Sequence, residues 1–192
     1  MKLRLILVSC ILLSPIVCLA QDTHSIELFG GYSREGRKTD SDNGWNASLA
    51  VNVYKNLDLV ADFAGNYNSQ EYSSTNYSSD YSHHRYAFLF GPRFAYRRYE
   101  RLTPFVHLLI GVERNSSQGT DIFNSQRYTY SSSQNLTCVA VGAGLDVKVK
   151  HGIAVRAIQL DGLGLTDRSS WAAWDANYRI STGLVFRLGG EH

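Results

Sequence analysis

The sequence predicts an all-β fold, an eight-stranded antiparallel up-and-down transmembrane β-barrel. Three observations predict it. Apolar and polar residues alternate with period two along eight segments. The connectors between those segments alternate between short turns and long polar stretches, as in barrels of the outer-membrane type. After Gln21 no apolar run approaches the roughly 18 residues of a membrane helix, so a membrane-embedded chain would have to cross with strands.

The first element is a leader. Lys2 and Arg4 precede an apolar run from Leu5 to Val17, and Cys18-Leu19-Ala20 places small residues before a cut at Gln21. That order of charge, apolar core and small residues reads as a secretory signal over residues 1–20, with the barrel over 21–192. Two of the three cysteines leave with the leader. Cys138 then stands alone, with no internal disulfide partner, and reads as a buried, inert thiol.

Strand by strand, the first segment sets Ile26, Leu28, Gly30 and Tyr32 against Glu27, Phe29 and Gly31. The second sets Trp45, Ala47, Leu49, Val51 and Val53 against Asn46, Ser48, Ala50 and Asn52. The third opposes Leu57, Leu59, Ala61, Phe63 and Tyr67 to Asp58, Val60, Asp62, Ala64 and Asn66. The fourth opposes Tyr86, Phe88, Phe90, Phe94 and Tyr96 to Arg85, Ala87, Leu89, Gly91, Arg93 and Arg97. Pro92 falls within that fourth segment, where it cannot donate to a ladder, and predicts a bulge or kink. The fifth sets Pro104, Val106, Leu108, Ile110 and Val112 against Phe105, His107, Leu109, Gly111 and Glu113. The sixth sets Thr137, Val139, Val141, Ala143, Leu145 and Val147 against Cys138, Ala140, Gly142, Gly144, Asp146 and Lys148. The seventh, Ile153 to Asp161, slips one step out of phase, which a β-bulge near Ala157–Ile158 would correct. The eighth opposes Tyr178, Ile180, Thr182, Leu184, Phe186 and Leu188 to Arg179, Ser181, Gly183, Val185 and Arg187.

Long connectors are expected over 34–43, 68–83, 115–134 and 162–176, all rich in Ser, Asn, Asp, Gly and Tyr. Short ones are expected over 54–56, 98–101 and 149–152.

The polar face belongs inside. It carries small residues that leave room in a narrow lumen for Arg85, Arg93, Arg156, Arg179 and Arg187. A basic residue facing lipid at the midplane costs about 2–4 kcal/mol, so inverting the barrel would cost on the order of ten. The same face holds Glu27, Asp58, Asp62, Glu113, Asp146 and Asp161. Unpaired buried charge is expensive. The expectation is a structural charge network of Glu27, Asp58, Asp62, Arg85, Arg93, Glu113, Asp146, Arg156, Arg179 and Arg187 that plugs the lumen. Tyr32, Trp45, Tyr67 and Tyr86 near the loops, and Phe94, Tyr96, Tyr99 and Phe186 near the turns, fit interfacial girdles.

Charge and composition exclude other classes. Removing Lys2 and Arg4 with the leader leaves 17 basic against 17 acidic residues, so bulk positive charge for nucleic acid is missing. Gly142-Ala143-Gly144 lacks the third glycine and the helix of a nucleotide fingerprint. His107 and Glu113 share a face but stand roughly 20 Å apart along a strand, too far to act together there. Asp58 and Asp62, about 13 Å apart, cannot share a proton. His107 reads as a lumen hydrogen-bonder, and the adjacent His83 and His84 as solvated loop residues. No catalytic residue, metal site or cofactor is expected.

Five segments resemble a known family. They are Ile26-Glu27-Leu28-Phe29-Gly30-Gly31-Tyr32, Leu89-Phe90-Gly91-Pro92-Arg93, Thr103-Pro104-Phe105-Val106-His107, Gly142-Ala143-Gly144-Leu145-Asp146-Val147 and Thr182-Gly183-Leu184-Val185-Phe186-Arg187. Through them the chain resembles the small OmpA/OmpX-like outer-membrane barrels, the group known as the outer membrane protein beta-barrel domain. The resemblance implies a Gram-negative outer membrane, both termini in the periplasm, four exposed loops and recognition by the barrel-assembly machinery. Family members usually end on an aromatic that this machinery reads. Here Phe186 is followed by Leu188, Gly189, Gly190, Glu191 and His192.

The expected function is that of a non-enzymatic integral outer-membrane protein in contact with outer-membrane lipid. Its loops would carry any contact with an extracellular ligand, through Tyr128, Tyr130, Trp171 and Trp174. Two other readings stay open on the sequence: a barrel enzyme that modifies lipid A, and a soluble periplasmic lipocalin-like binder.

Overall fold

The computed structural model describes residues 26–37, 41–74, 77–123, 126–166 and 177–189. They form eight strands: β1 (Ile26–Gly36), β2 (Ser41–Tyr54), β3 (Leu57–Ser74), β4 (Tyr77–Ala95), β5 (Leu102–Phe123), β6 (Gln126–Lys150), β7 (Ile153–Thr166) and β8 (Tyr178–Leu188). Each pairs antiparallel with the next, and β1 pairs with β8 to close the barrel. The predicted leader and the residues Trp171 and Trp174 lie outside the described residues.

Period two sets the facing. Along β1, Glu27, Phe29, Ser33 and Glu35 are buried while Leu28, Gly30, Tyr32 and Arg34 are exposed. Along β8, Arg179, Ser181 and Val185 are buried while Tyr178, Ile180, Leu184 and Phe186 are exposed. The outward set forms a continuous apolar belt, with Phe90 50%, Val106 55% and Ile110 59% exposed. A soluble monomer rarely exposes such a contiguous patch.

The bulge in β7 is present. Arg156 pairs with Gly183 and Gln159 with Ser181, so Ala157 and Ile158 together oppose Thr182. Both bulge residues are exposed, and Gln159 and Asp161 return to the interior. The Thr182 hydroxyl donates to the Arg156 carbonyl at 2.9 Å.

Pro92 departs from expectation. Phe90 pairs with Ile110 and Arg93 with His107, so the β4–β5 register is the same on both sides of the proline and no residue is inserted. The ladder is interrupted at Gly91 and Pro92 without a bulge. Pro92 is exposed, and its missing N–H removes one ladder hydrogen bond and leaves the facing intact.

The long loops also differ from expectation. β3 runs on to Ser74 and β4 begins at Tyr77, while β5 runs on to Phe123 and β6 begins at Gln126. Stretches read as loops from their polar composition are strands. Ser, Thr, Tyr and Asn satisfy a ladder as well as apolar residues do when both faces of the sheet meet water. Their polarity therefore reports the solvent and not the backbone.

Glycine permits the closing seam. Gly31 and Gly183 face each other across β1 and β8. A Cβ on Gly31 would stand 2.0 Å from the Thr182 carbonyl oxygen, so no side chain fits there. Such glycine pairs let a sheet coil tightly enough to close.

Candidate functional site

Two regions carry polar side chains in arrangements that go beyond strand packing: the lumen and the sheet that projects from its mouth. The mouth is the end opposite the short turns.

Nearest the short turns, Glu27, Asp58 and Asp146 face four arginines. Arg93 donates to Asp58 at 2.8 Å and also pairs with Glu27. Arg97 reaches Asp58 at 2.8 Å and Glu27 at 3.2 Å. Arg187 lies 3.1 Å from Glu27 and 3.8 Å from Asp146. Arg156 donates to Asp146 at 2.8 Å and to the Gln159 side-chain oxygen at 2.7 Å. Its guanidinium lies between two rings, 4.2 Å from the Phe29 centroid and 4.5 Å from that of Phe105. The planar head is thus stacked on its faces and hydrogen-bonded at its edge.

At mid-height Arg179 bridges β7 and β3, with Asp161 at 2.7 Å and Asp62 at 2.9 Å. Asp161 also accepts from Gln159 at 2.9 Å and from His107 Nε2 at 2.9 Å. Asp62 accepts from the Asn46 amide at 2.9 Å. Gly142 makes room for this group. A Cβ there would sit 2.1 Å from Asp161 Oδ1 and 2.6 Å from His107 Nε2. Beside this group, Ala50, Val60, Leu89, Leu109, Cys138, Ala140 and Leu163 form an apolar cluster inside the lumen. The polar face is therefore partly apolar, which charge counting alone does not reveal.

At the mouth, Arg37 pairs with Glu35 at 2.7 Å and with Glu113 at 2.5 Å. Arg85 lies 2.9 Å from Asp42 and 3.4 Å from Glu35. The Asn66 amide donates to Glu35 at 2.9 Å. Arg85 Nε donates to His83 Nε2 at 2.7 Å, and His83 Nδ1 lies 2.7 Å from the Ser117 hydroxyl. Since arginine only donates, His83 accepts at Nε2 and holds its proton on Nδ1. Burial first, then the neighbouring Arg85 charge, lower the His83 pKa below its usual 6.5.

Of the ten residues expected to form the lumen network, the structure places Glu27, Asp58, Asp62, Arg85, Arg93, Glu113, Asp146, Arg156 and Arg179 in the buried interior, with Arg187 half-buried at the turn end. Sequence reading missed Glu35, Arg37, Asp42 and His83, which it assigned to loops. The signal was available for three of them, since His83 continues the phase of Arg85 and Ala87. Glu35 continues the phase of Glu27 and Phe29, and Asp42 that of Asn46 and Ser48. His83 is a correction, since it lies on β4, half-buried and hydrogen-bonded, and is not a solvated loop residue.

The projecting sheet is the second region. A strand needs about 9–11 residues to cross a bilayer. β3 to β6 have 18, 19, 22 and 25. The excess lies at the mouth, where β3 pairs with β4, β4 with β5 and β5 with β6 as a four-stranded sheet. Its β6 portion from Gln126 to Asn135 is exposed at every residue. Tyr128 and Tyr130 sit on this strand and not in a loop, which corrects their assignment. One rung reads Tyr81, Gly119, Tyr130. The Tyr130 ring lies across Gly119, where an added Cβ would come within 2.2 Å of it.

No protein-family model matches the sequence, and no curated protein does. Solved structures do. The outer membrane protein OprG from Pseudomonas aeruginosa matches at 9% identity with a TM-score of 0.57, over 90% of this chain and 99% of that one. Neisserial surface protein A matches at 9% identity and 0.52, over 88% and 97%. Ail, the attachment invasion locus protein of Yersinia pestis, matches at 17% identity and 0.51, over 86% and 97%. These likenesses establish the fold as that of small eight-stranded outer-membrane barrels.

Proposed function

We propose that this chain is an integral outer-membrane β-barrel protein with a plugged lumen, and that it makes surface contacts and has no catalytic role. The observation that carries this reading is the segregation of side chains on a closed barrel, with the apolar belt outward and the arginine–carboxylate pairs inward. In water the belt would be exposed grease. In lipid the inverse arrangement would cost on the order of ten kcal/mol. The short-turn end, where Ile26 and Leu188 pair, then faces the periplasm, and the mouth faces outward. Export would use the leader at residues 1–20, and insertion the barrel-assembly machinery.

The lumen charges plug the barrel. Arg179 reaches from one wall to the other, and Leu89, Leu109 and Gln159 are fully buried in the interior. The polar groups that could serve an enzyme are already committed to one another. His107 donates to Asp161, which Arg179 and Gln159 also hold. The outward-projecting sheet, with Tyr, Ser, Asn and Gln on an accessible strand, has the composition of adaptable recognition surfaces. Tyr81, Tyr128 and Tyr130 would make its contacts.

The test is gel mobility with and without boiling, alongside membrane fractionation. The folded protein should migrate faster before boiling and require detergent for extraction. Release without detergent would favour the soluble binder. A mass change in lipid A incubated with the folded protein would overturn the non-enzymatic reading.

A further inference from the structure

We propose that the outer face at the mouth end of β2 to β6 holds an anionic, phosphate-bearing lipid, its acyl chain in an aromatic groove and its phosphate on Arg114. The proposal rests on the membrane reading above.

One outward rung runs Trp45, Gly65, Tyr86, Arg114, Asn135. The next outward rung toward the short turns runs Phe63, Phe88, Val112. Between and beside these side chains lies a groove of about 280 Å³. Glycine at position 65 lets Trp45 lie flat at its edge. The Trp45 indole lies across the backbone there, and a Cβ on Gly65 would stand 2.7 Å from its Nε1. Tilted rings at Phe63 and Phe88, 4.8 Å apart, wall the apolar end. A chain of methylenes fits such a slot, since the walls offer carbon and almost no polar surface.

The polar end has Arg114. It is exposed, and among the described residues it makes no ion pair. Arg37, Arg85, Arg93, Arg97, Arg156, Arg179 and Arg187 each have a carboxylate partner, and among the described residues Arg114 has none. On the same face of β4 the nearest acid is Asp80, six residues beyond Tyr86 and so about 20 Å away along the strand. Asn135 and Ser116 flank it with neutral hydrogen-bonding groups. Arg114 therefore stands at the level of the aromatic girdle, where lipid phosphates lie, with no protein counter-ion. A guanidinium fork matches phosphate oxygens in pairs and holds them more firmly than a point charge does.

The experiment uses the full folded protein in phosphatidylcholine vesicles, with Trp171→Phe and Trp174→Phe so that Trp45 alone reports. Brominated-chain phosphatidic acid is compared with brominated diacylglycerol, which lacks the phosphate. Phosphatidic acid should quench Trp45 at a several-fold lower lipid fraction. Arg114→Gln should erase that difference, and Arg114→Lys should keep part of it. Equal quenching by the two lipids, or a preference that survives Arg114→Gln, would overturn the proposal. So would full relief of quenching by inorganic phosphate, because the acyl groove would then contribute nothing. Failure to insert into any vesicle overturns the membrane reading and this one with it. Insertion without a lipid preference overturns this one alone.

Discussion

Arg179 shows how much a single lumen side chain holds. It joins Asp62 on β3 to Asp161 on β7, and all three are fully buried. Truncation strands two carboxylates without a cation. Arg179→Ala should therefore cost about 3–5 kcal/mol, read as a lower urea midpoint for the barrel in vesicles. Gly142→Ala should destabilise through the same group by driving a methyl into the space of the His107–Asp161 pair. His83 lies beyond the aromatic girdle and has a different signature. Its folded pKa is below the unfolded value near 6.5, so protonation favours unfolding. Stability from this group is present above that value and is lost as pH falls below it. His83→Gln should flatten the decline in unfolding midpoint between about pH 7 and pH 5. Cys138 is fully buried among Ala140, Leu109 and Leu163.

Strands respond to substitution according to face and phase. Phe90 lies at the middle of the outer belt, and Phe90→Arg should cost about 2–4 kcal/mol by the same unfolding assay. The bulge in β7 makes a sharper prediction. Deleting Ala157 regularises the strand and keeps Arg156, Gln159 and Asp161 inward, so the variant should still shift mobility on boiling. Deleting Val155 moves Arg156 and its charge to the lipid face, and that variant should not fold. The β5–β6 hairpin beyond the pair Ser117 and Ser132 lies past the charge pairs of the lumen and extends the projecting sheet. Joining those residues by a two-residue turn should leave the unfolding midpoint unchanged while removing Tyr128 and Tyr130 from the surface.

For the whole barrel, alternation made the fold legible. Strand number, facing and the β7 bulge could all be read, because side-chain direction follows from the local backbone and needs no knowledge of neighbours. Lumen membership was legible for the same reason, and it failed where polar composition was taken for loop, at Glu35, Asp42 and His83. Cross-lumen contacts are of another kind. Glu27 and Arg93 are 66 residues apart, and nothing local indicates that they meet. The apolar cluster around Leu89 and Leu109 was hidden in the same way, as was the rung that sets Arg114 beside Tyr86 and Asn135. Closure and stagger of the sheet fix which inward residues share a level. Within the segments it read as strands, sequence thus assigned side chains to lipid or lumen, a property of one strand. The choice of partner needed the closed barrel, because pairing depends on how all eight strands are offset around a common axis.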